Sequence, residues 1–203
     1  MRTKNTRKRQ AILDVATQAF RELGYERTSM SEICARVGGS KATLYNHFVS
    51  KEELFFEVIF MANEIEFHAT NACLDPKTED VSAALLAFGE HFLRLLYAPE
   101  MLPIRRLVIA ESGRSNLGRI CYERGLKRIH DLLAAFLHSV MTRDVSGLTD
   151  PAVAAWHLLG LLEAELFPRC MLCVQEVTSE EEIRGCTQRA VGAFMTAYGR
   201  SLP

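Results

Sequence analysis

The residues best suited to binding chemistry lie in one segment, GGSKATLYNHF, at residues 38–48. Its two glycines favour a tight turn, and Ser40 stands where it can cap the helix that follows. That helix spans only about two turns, so it needs the support of other helices. It carries one cation and several hydrogen-bonding groups, namely Lys41, Thr43, Tyr45, Asn46 and His47. A short helix of this chemistry is suited to insertion into a DNA major groove.

The surrounding sequence predicts the helices that position this segment. Apolar residues recur at three- and four-residue spacing over residues 7–23, and Gly24 is expected to end that first helix. Ser29 begins a capping box that opens a second, short helix, and Ser50 opens a fourth that reaches about residue 69. A short glycine-containing turn joins the second helix to the third, which is the layout of a helix-turn-helix.

The rest of the chain is also predicted to be helical, because it contains no hairpin turn signal and no long alternating run. Further helices are expected at about residues 80–97, 102–112, 116–141, 151–166 and 180–199. The predicted fold class is therefore all-α. A three-helix helix-turn-helix domain is expected over residues 1–53, followed by a larger helical domain over residues 54–203.

The charge of the chain is divided unevenly between these two parts. Residues 1–55 hold 10 Lys or Arg against 6 Asp or Glu, although the whole chain has a net charge of −1. This pattern indicates a basic interaction module attached to an acidic body. No apolar run approaches the roughly 20 residues of a membrane span, and the basic N-terminus lacks the apolar region of a secretory signal. Scattered cysteines are typical of reduced thiols in a cytoplasmic protein.

Several motifs in the basic part resemble the DNA-binding domain of the TetR/AcrR family of bacterial transcriptional regulators. They are Gly-Tyr at residues 24–25, Thr-Ser at 28–29, Thr-Leu-Tyr-x-His-Phe at 43–48 and Ser-Lys-Glu at 50–52. The resemblance covers about residues 7–58. Gly39 departs from it, since the family more often has a small apolar residue at this position. The resemblance implies a homodimer that binds a double-stranded DNA operator.

The resemblance also implies which residues contact DNA: Thr28, Ser40, Lys41, Ala42, Thr43, Tyr45, Asn46, His47 and Lys51. Lys41 and Thr43 are the best candidates for base edges, because Lys can donate to guanine and a Thr methyl can meet thymine. Phosphate contacts are expected from Thr28, Tyr45, His47 and Lys51. His47 could instead be a structural hydrogen-bonding residue, and Tyr45 is partly a packing residue.

A cluster of basic residues precedes the first apolar pattern: Arg2, Lys4, Arg7, Lys8 and Arg9. One interpretation is an arm that adds positive charge near the phosphates or reaches a minor groove. The other is a solvated, disordered tail. The sequence does not separate the two.

The C-terminal part resembles the C-terminal domain of the AefR-like subgroup, through the segments at residues 98–115 and 117–125. This resemblance implies a helical cavity for a small-molecule effector and a homodimerisation face on the last two long helices. The stripes expected to pair are Ala155, Leu158, Leu159, Leu162 and Leu166 on one helix and Val191, Phe194 and Met195 on the other. The alternative is that both stripes serve only the core of one subunit.

Candidate residues for lining the cavity are Phe67, Phe88, Phe92, Leu96, Met101, Ile104, Leu107, Tyr122, Phe136 and Trp156. Aromatic and Met side chains can line an adaptable apolar pocket, although any one of them is more often ordinary core. The ionisable residues that could orient a ligand are Arg105, Arg106, Glu111, His157, Glu163 and Glu165. A salt bridge or a surface position is the alternative for each.

Cys170 and Cys173 form a Cys-x-x-Cys pattern. A redox or metal sensor is one interpretation, but no second cysteine pair or nearby His completes a tetrahedral set. Buried thiols are therefore the favoured interpretation. No catalytic residue, metal or cofactor is expected.

Together, the residues and the resemblance predict a ligand-responsive, DNA-binding transcriptional regulator of the cytoplasm. It is expected to be a homodimeric repressor that binds a palindromic operator and is released by a small apolar or amphipathic ligand. A DNA-binding regulator that has no ligand and binds another protein through its acidic body is the alternative. A helical-bundle enzyme is disfavoured, because no nucleophile motif, metal-ligand pair or phosphate loop occurs.

Overall fold

A computed structural model describes residues 2–141 and 150–199, with side chains from residue 5 onward. Within these ranges the chain forms α-helices and one π-helical turn, and no strand occurs. The helices are α1 (Arg2–Arg27), α2 (Met30–Val37), α3 (Lys41–His47), α4 (Lys51–Ala62), α5 (Glu64–Ala72), α6 (Val81–Tyr97), α7 (Met101–Glu111), α8 (Leu117–Cys121), α9 (Lys127–Met141), α10 (Pro151–Glu163), α11 (Phe167–Met171) and α12 (Glu180–Tyr198). The all-α prediction is confirmed.

The chain divides into two compact units, and the first of them includes a segment from the middle of the sequence. The first unit comprises the described residues up to Asn63 together with Glu111–Cys121. The second comprises Glu64–Ala110 and the described residues from Tyr122 onward. The expected domain boundary after residue 53 therefore differs from the structural one, and α8 belongs with the N-terminal helices.

The helix α4 joins the first unit because its aromatic face packs on α1. The Phe55 ring lies 4.9 Å from the ring of Phe20 and 4.8 Å from that of Tyr25. These rings complete a core to which α1 also contributes Ile12 and Ala16, both buried. A boundary at residue 53 would cut through this aromatic cluster, so residues 54–62 are needed to cover the face of α1.

The N-terminal helices are interrupted at Gly24 and again at Asn63. Gly24, expected to end the first helix, has φ = 75° and ψ = 170°, which interrupts α1 as predicted, and a further helical turn reaches Arg27. The fourth helix was expected to reach residue 69, but α4 ends at Ala62. The cause is Asn63, whose side-chain amide donates to the carbonyl of Ile59 at 2.8 Å and closes the last turn.

A π-helical turn, Tyr122–Leu126, divides the helix that the sequence predicted as one element over residues 116–141. Such turns are rare and occur mostly as single-turn insertions in α-helices. As for membrane segments, none of the helices described above is by itself long and apolar enough to cross a bilayer. One pair, α6 with α7, meets the criterion of length and composition, with a bend of 73° between them.

In the second unit, α6, α10 and α12 pack together and enclose the core. The apolar stripes expected to pair two subunits lie inside this core instead. All of them are buried except Met195, which is half-buried: Ala155, Leu158, Leu159, Leu162, Leu166, Val191 and Phe194. That prediction was wrong because α10 is apolar around most of its circumference. Its richest stripe therefore faces the subunit's own core, and other apolar residues, including Val153, remain exposed.

The contact of α6 with α10 and α12 depends on Gly89. A Cβ added there would lie 2.7 Å from Cγ2 of Thr187 and 2.8 Å from Cδ2 of Leu162, both on fully buried residues. We expect Gly89→Val to lower the free energy of unfolding by about 1–3 kcal/mol through overpacking. Chemical denaturation measures this change. Ala87→Val, on the exposed side of the same helix, is the control. Equal stability of the two variants would contradict the close approach.

Candidate functional site

The turn between α2 and α3 is built from local hydrogen bonds. Gly38 adopts φ = 69°, a left-handed conformation that favours glycine, and its N–H donates to the carbonyls of Cys34 and Ala35. The Cys34 thiol donates to the carbonyl of Gly39 at 3.1 Å. A Cβ at Gly39 would meet only Val37, at an ordinary 3.8 Å. The departure from the family pattern at this position therefore does not alter the turn.

Serine caps begin both helices of the motif. The side chain of Ser29 accepts a hydrogen bond from the N–H of Glu32 at 3.1 Å, and that of Ser40 accepts one from the N–H of Thr43 at 3.2 Å. Each cap satisfies a backbone donor that the first turn of a helix leaves without a partner. The two short helices are thus fixed at their starts, which orients α3 for binding.

The outer face of α3 carries most of the predicted DNA-binding residues. Its exposed members are Ser40, Lys41, Ala42, Tyr45 and Asn46. Leu44 and Phe48 are buried, in agreement with their four-residue helical spacing. At about 100° per residue, Ala42 and Asn46 lie nearly opposite Leu44, at the centre of the exposed face. These two residues, rather than Lys41 and Thr43 alone, are therefore the side chains that project furthest from the core.

Thr43 and His47 lie at the edges of this face and are half-buried. The Thr43 hydroxyl is 2.8 Å from the Ser40 hydroxyl, so it takes part in the N-terminal cap of α3. The ring centroid of His47 lies 6.5 Å from that of Phe48. Contacts of Thr43 and His47 with DNA stay predictions.

Thr28 has an internal role in the structure, and its predicted phosphate contact stays a prediction. Its side chain is only 1% exposed. The hydroxyl donates to the carbonyl of Gly24 at 2.7 Å and approaches that of Ala19 at 3.2 Å. Thr28 therefore secures the kinked end of α1 through its side chain. The sequence did not indicate this role, because local patterns do not show which backbone carbonyls the Thr28 hydroxyl reaches.

Lys51 is also engaged within the first unit. Its ammonium donates to the carbonyl of Tyr25 at 3.0 Å and lies 4.0 Å from the centroid of that ring. Tyr25 itself is buried, and burial, followed by the nearby Glu52 carboxylate, raises its pKa. Because an ammonium has three donors, the predicted phosphate contact of Lys51 remains open for its other N–H groups.

The basic N-terminal cluster belongs to α1, which begins at Arg2. Arg9 donates to a carboxylate oxygen of Glu57 at 2.5 Å, and its guanidinium lies 5.0 Å from the centre of the Phe48 ring. Arg9 therefore braces α1 against α4 and cannot be part of a free tail. Arg7 and Lys8 are exposed. The side chains of Arg2 and Lys4 lie outside the described residues.

In the second unit, the predicted cavity residues differ in burial. Five of the ten are buried, namely Phe67, Phe88, Phe92, Met101 and Phe136. Three are half-buried, namely Leu96, Ile104 and Leu107, and the two exposed ones are Tyr122 and Trp156. The rings of Phe88 and Phe92 stack with centroids 5.8 Å apart. Lining of a cavity by this set stays a prediction.

Two of these residues form an aromatic cluster at the edge of α10. The Trp156 ring lies parallel to that of Tyr122 at 6.3 Å and stacks on the His130 ring at 4.2 Å. His130 is buried, and its Nε2 is 2.9 Å from the carbonyl of Ala152. The cluster therefore fixes the start of α10 against α9.

Two of the predicted ionisable groups form a half-buried pair with a tyrosine. Arg105 on α7 donates from Nη2 to Oε2 of Glu163 on α10 at 2.5 Å, and the Tyr97 hydroxyl donates to the same oxygen at 2.8 Å. The side chains of Arg105 and Glu163 are 15% and 18% exposed. Tyr97 was not among the predicted site residues, although a tyrosine ending an apolar helix needs a hydrogen-bond partner once buried.

The surroundings of this pair change how its members ionise. Burial, followed by the Glu163 charge, raises the pKa of Tyr97. Burial also acts to lower the pKa of Arg105, but the Glu163 charge and hydrogen bonds outweigh it and the pKa is raised. Arg105 also has a nitrogen, Nη1, that is buried without a hydrogen-bond partner among the described residues. The site thus holds a fixed cation with an unused donor.

The other ionisable candidates have partners of the kind expected for structural roles. Arg106 donates twice to the carbonyl of Cys170, at 2.8 and 3.0 Å. The remaining pairs are Glu111 with Arg114, Glu165 with Arg189, and His157 with the hydroxyl of Tyr198. The salt-bridge or surface interpretation therefore accounts for Glu111, Glu165 and His157, whereas Arg106 binds a backbone carbonyl.

The two cysteines of the Cys-x-x-Cys pattern are in different environments. Cys170 is buried, with its sulfur 3.8 Å from the hydroxyl of Thr178, whereas Cys173 is exposed. No group of three or more residues that could hold a metal ion occurs in the part of the chain that the structure describes. Only Cys170 therefore fits the expectation of a buried thiol.

The sequence matches two known families over most of its length. The family described as bacterial regulatory proteins of the tetR family matches residues 12–58. The family described as the AefR-like transcriptional repressor C-terminal domain matches residues 83–200. The first match contains the helix-turn-helix, and the second begins in α6 and extends beyond α12.

Solved structures and a curated relative agree with these matches. A TetR-family transcriptional regulator of Mesorhizobium loti is 31% identical, with a TM-score of 0.77, over 95% of this chain and 97% of that one. The Flavonoid-responsive Regulator FrrA is 32% identical, with a TM-score of 0.74, over the same shares. The HTH-type transcriptional regulator YhgD of Bacillus subtilis is 25% identical over 79% of this chain and 83% of its own length. With its capped helix-turn-helix, this chain is a DNA-binding transcriptional regulator that belongs to the TetR family and has an AefR-like C-terminal domain.

Proposed function

We propose that the protein is a repressor that binds a near-palindromic operator as a homodimer and is released by a small effector. The exposed face of α3 carries the proposal, because it presents a cation, a phenol and an amide on one side of a rigidly capped helix. The AefR-like domain, described as that of a transcriptional repressor, supports repression over activation. Such a protein would act in the cytoplasm, where its DNA is.

Different residues of α3 would contact the bases and the phosphates. Asn46 can form two hydrogen bonds with adenine, Lys41 can donate to guanine, and the methyl group of Ala42 can meet thymine. Tyr45, 46% exposed, is suited to a phosphate contact at the edge of the helix. Base contacts at the centre and phosphate contacts at the rim are the usual arrangement of a recognition helix.

Homodimerisation would use the outer faces of α10 and α12, not the buried stripes. Along α10, an apolar surface is formed by four exposed residues, Val153, Trp156, Gly160 and Leu161. Its centre is flat because Gly160 has no side chain. On α12, Gly192 is exposed, and a Cβ added there would meet nothing within 4 Å. Two such helix pairs related by a two-fold axis would form a four-helix interface.

The effector would be an apolar or amphipathic compound bound in the second unit. FrrA, which is similar over nearly the whole chain, is named as flavonoid-responsive. We therefore take an aromatic compound of the flavonoid type as the candidate effector class. Release requires that the compound bind the form with low DNA affinity more tightly than the operator-bound form.

Selection of DNA from a random pool by the purified full-length protein tests the proposal. We expect a near-palindromic motif whose half-sites are centred about 10 base pairs, or roughly 34–36 Å, apart, because each subunit places one α3 in successive major grooves. Enrichment of a single asymmetric half-site would contradict the dimeric part of the proposal. Recovery of no motif would contradict sequence-specific DNA recognition.

A further inference from the structure

We propose that Arg105 anchors the effector by donating a hydrogen bond from Nη1 to a carbonyl oxygen of a neutral aromatic compound. This inference rests on the proposed function, because it identifies the group that holds the effector within the second unit. It also names the feature of the effector that the protein recognises, which is an uncharged oxygen acceptor attached to an aromatic ring system.

The two terminal nitrogens of Arg105 are used unequally. Nη2 donates to the carboxylate of Glu163, whereas Nη1 is buried and has no hydrogen-bond partner in residues 2–141 and 150–199. Buried guanidinium N–H groups ordinarily have acceptors, because leaving a polar donor unpaired is costly. The adjacent Arg106 follows this rule through its two hydrogen bonds to the carbonyl of Cys170. The donor on Arg105 is therefore available to a bound molecule.

The charge balance of the site selects the kind of acceptor. Glu163 already neutralises Arg105, and the Tyr97 hydroxyl donates to the same carboxylate oxygen. A second anion here would leave one negative charge without a counterion in a largely buried place, which is unfavourable. A carbonyl oxygen gains a hydrogen bond to a charged donor and adds no net charge. The site consequently favours a ketone or a similar neutral acceptor over a carboxylic acid.

The rings beside the guanidinium favour an aromatic ligand. The central carbon of Arg105 lies 4.8 Å from the centre of the Tyr97 ring and 5.8 Å from that of Phe167. The guanidinium packs over both rings; the Tyr97 ring on α6 is buried, whereas the Phe167 ring at the start of α11 is 43% exposed. Stacking or edge contacts with the exposed Phe167 ring add to the affinity of a flat aromatic compound. The hydrogen bond would then fix the position of that compound relative to α7.

The test compares two neutral probes, flavanone and flavan, which differ only by the carbonyl at carbon 4. Equilibrium dialysis measures their binding to the full-length protein, to Arg105→Lys and to the control Arg94→Lys. The lysine at position 105 keeps a positive charge beside Glu163 but removes the second nitrogen. Arg94 pairs with Glu90 and Glu180 elsewhere in the same unit.

We expect the unmodified protein to bind flavanone about 10- to 100-fold more tightly than flavan, as for a hydrogen bond to a charged donor. Arg105→Lys should remove that preference while binding flavan as before, and Arg94→Lys should retain it. Equal binding of both probes by the unmodified protein would overturn the inference without any variant. A preference that survives Arg105→Lys, or binding of neither probe, would also overturn it.

Operator binding by the same samples separates this inference from the proposed function. If flavanone fails to bind but the palindromic operator is still bound, the anchor is refuted and DNA recognition stands. If flavanone binds through Arg105 but leaves the operator complex intact, the anchor stands and release by this effector is refuted. Thermal denaturation of Arg105→Lys shows whether the variant is folded.

Discussion

Ala42→Glu is expected to weaken operator binding at least about 100-fold while leaving the protein folded. Ala42 lies at the centre of the exposed face of α3, nearly opposite the buried Leu44. A carboxylate there would face the phosphates and the acceptor-rich base edges of the major groove, and like charges brought together in this way cost several kcal/mol. Glutamate in the first turn of a helix is favourable, so the helix itself should form. Fluorescence anisotropy with the selected operator measures the loss.

The control for this variant is Ala87→Glu. It introduces the same charge at an exposed position of α6, in the second unit. Its operator affinity should stay within a few-fold of the unmodified protein, which separates a local effect at α3 from the change in net charge. Retained affinity of Ala42→Glu, with normal thermal denaturation, would show that α3 does not enter the groove through this face.

Glu163→Ala is expected to lower the free energy of unfolding by about 3 kcal/mol. The substitution removes the shared acceptor of Arg105 and Tyr97 and leaves the half-buried guanidinium and the buried hydroxyl without it. The unpaired cation accounts for most of the cost. Chemical denaturation with urea measures the change. Glu165→Ala, which removes an exposed pair with Arg189, is the matched control and should change stability little.

A double substitution checks the physical reason for that loss. Arg105→Met combined with Glu163→Leu replaces the pair with apolar side chains, and its stability should return most of the way to that of the unmodified protein. If the double variant is as unstable as Glu163→Ala, packing at position 163 rather than the unpaired cation is responsible. If Glu163→Ala is as stable as the unmodified protein, the pair contributes nothing to folding.

The helix-turn-helix could be predicted from the sequence because its signals are local. Ser29 and Ser40 cap helices within three residues of themselves, and Gly38 adopts the left-handed conformation that a short turn requires. The inward positions of Leu44 and Phe48 followed from helical spacing alone. Each of these features depends on neighbours a few residues away, so one sequence was enough to identify them.

The roles of Thr28 and Lys51 could not be predicted in the same way. Both side chains bind carbonyls near the end of α1, Gly24 for Thr28 and Tyr25 for Lys51. Gly24 interrupts the helical geometry of α1 next to these carbonyls, and no spacing rule states which carbonyl a side chain will reach. Polar residues beside a recognition helix therefore resemble phosphate contacts until their tertiary partners are known.

The faces of α10 show a second limit of sequence patterns. Its apolar residues surround the helix, so periodicity cannot tell which side meets the core and which side is left for another subunit. Burial of Leu158 and Leu162 resolves the choice, because these side chains are fully enclosed in one subunit. The remaining apolar residues, such as Val153 and Leu161, then become the candidates for pairing.

The inclusion of residues 111–121 in the first unit has a consequence for protein engineering. A transplant of operator specificity would join the DNA-binding part of one regulator to the remainder of another. In this chain, a junction at Asn63 would pair a foreign α4 with the native α8, which packs against α4. A transplant that keeps the unit intact must carry two separate stretches of sequence, so a chimaera with this protein requires three junctions instead of one.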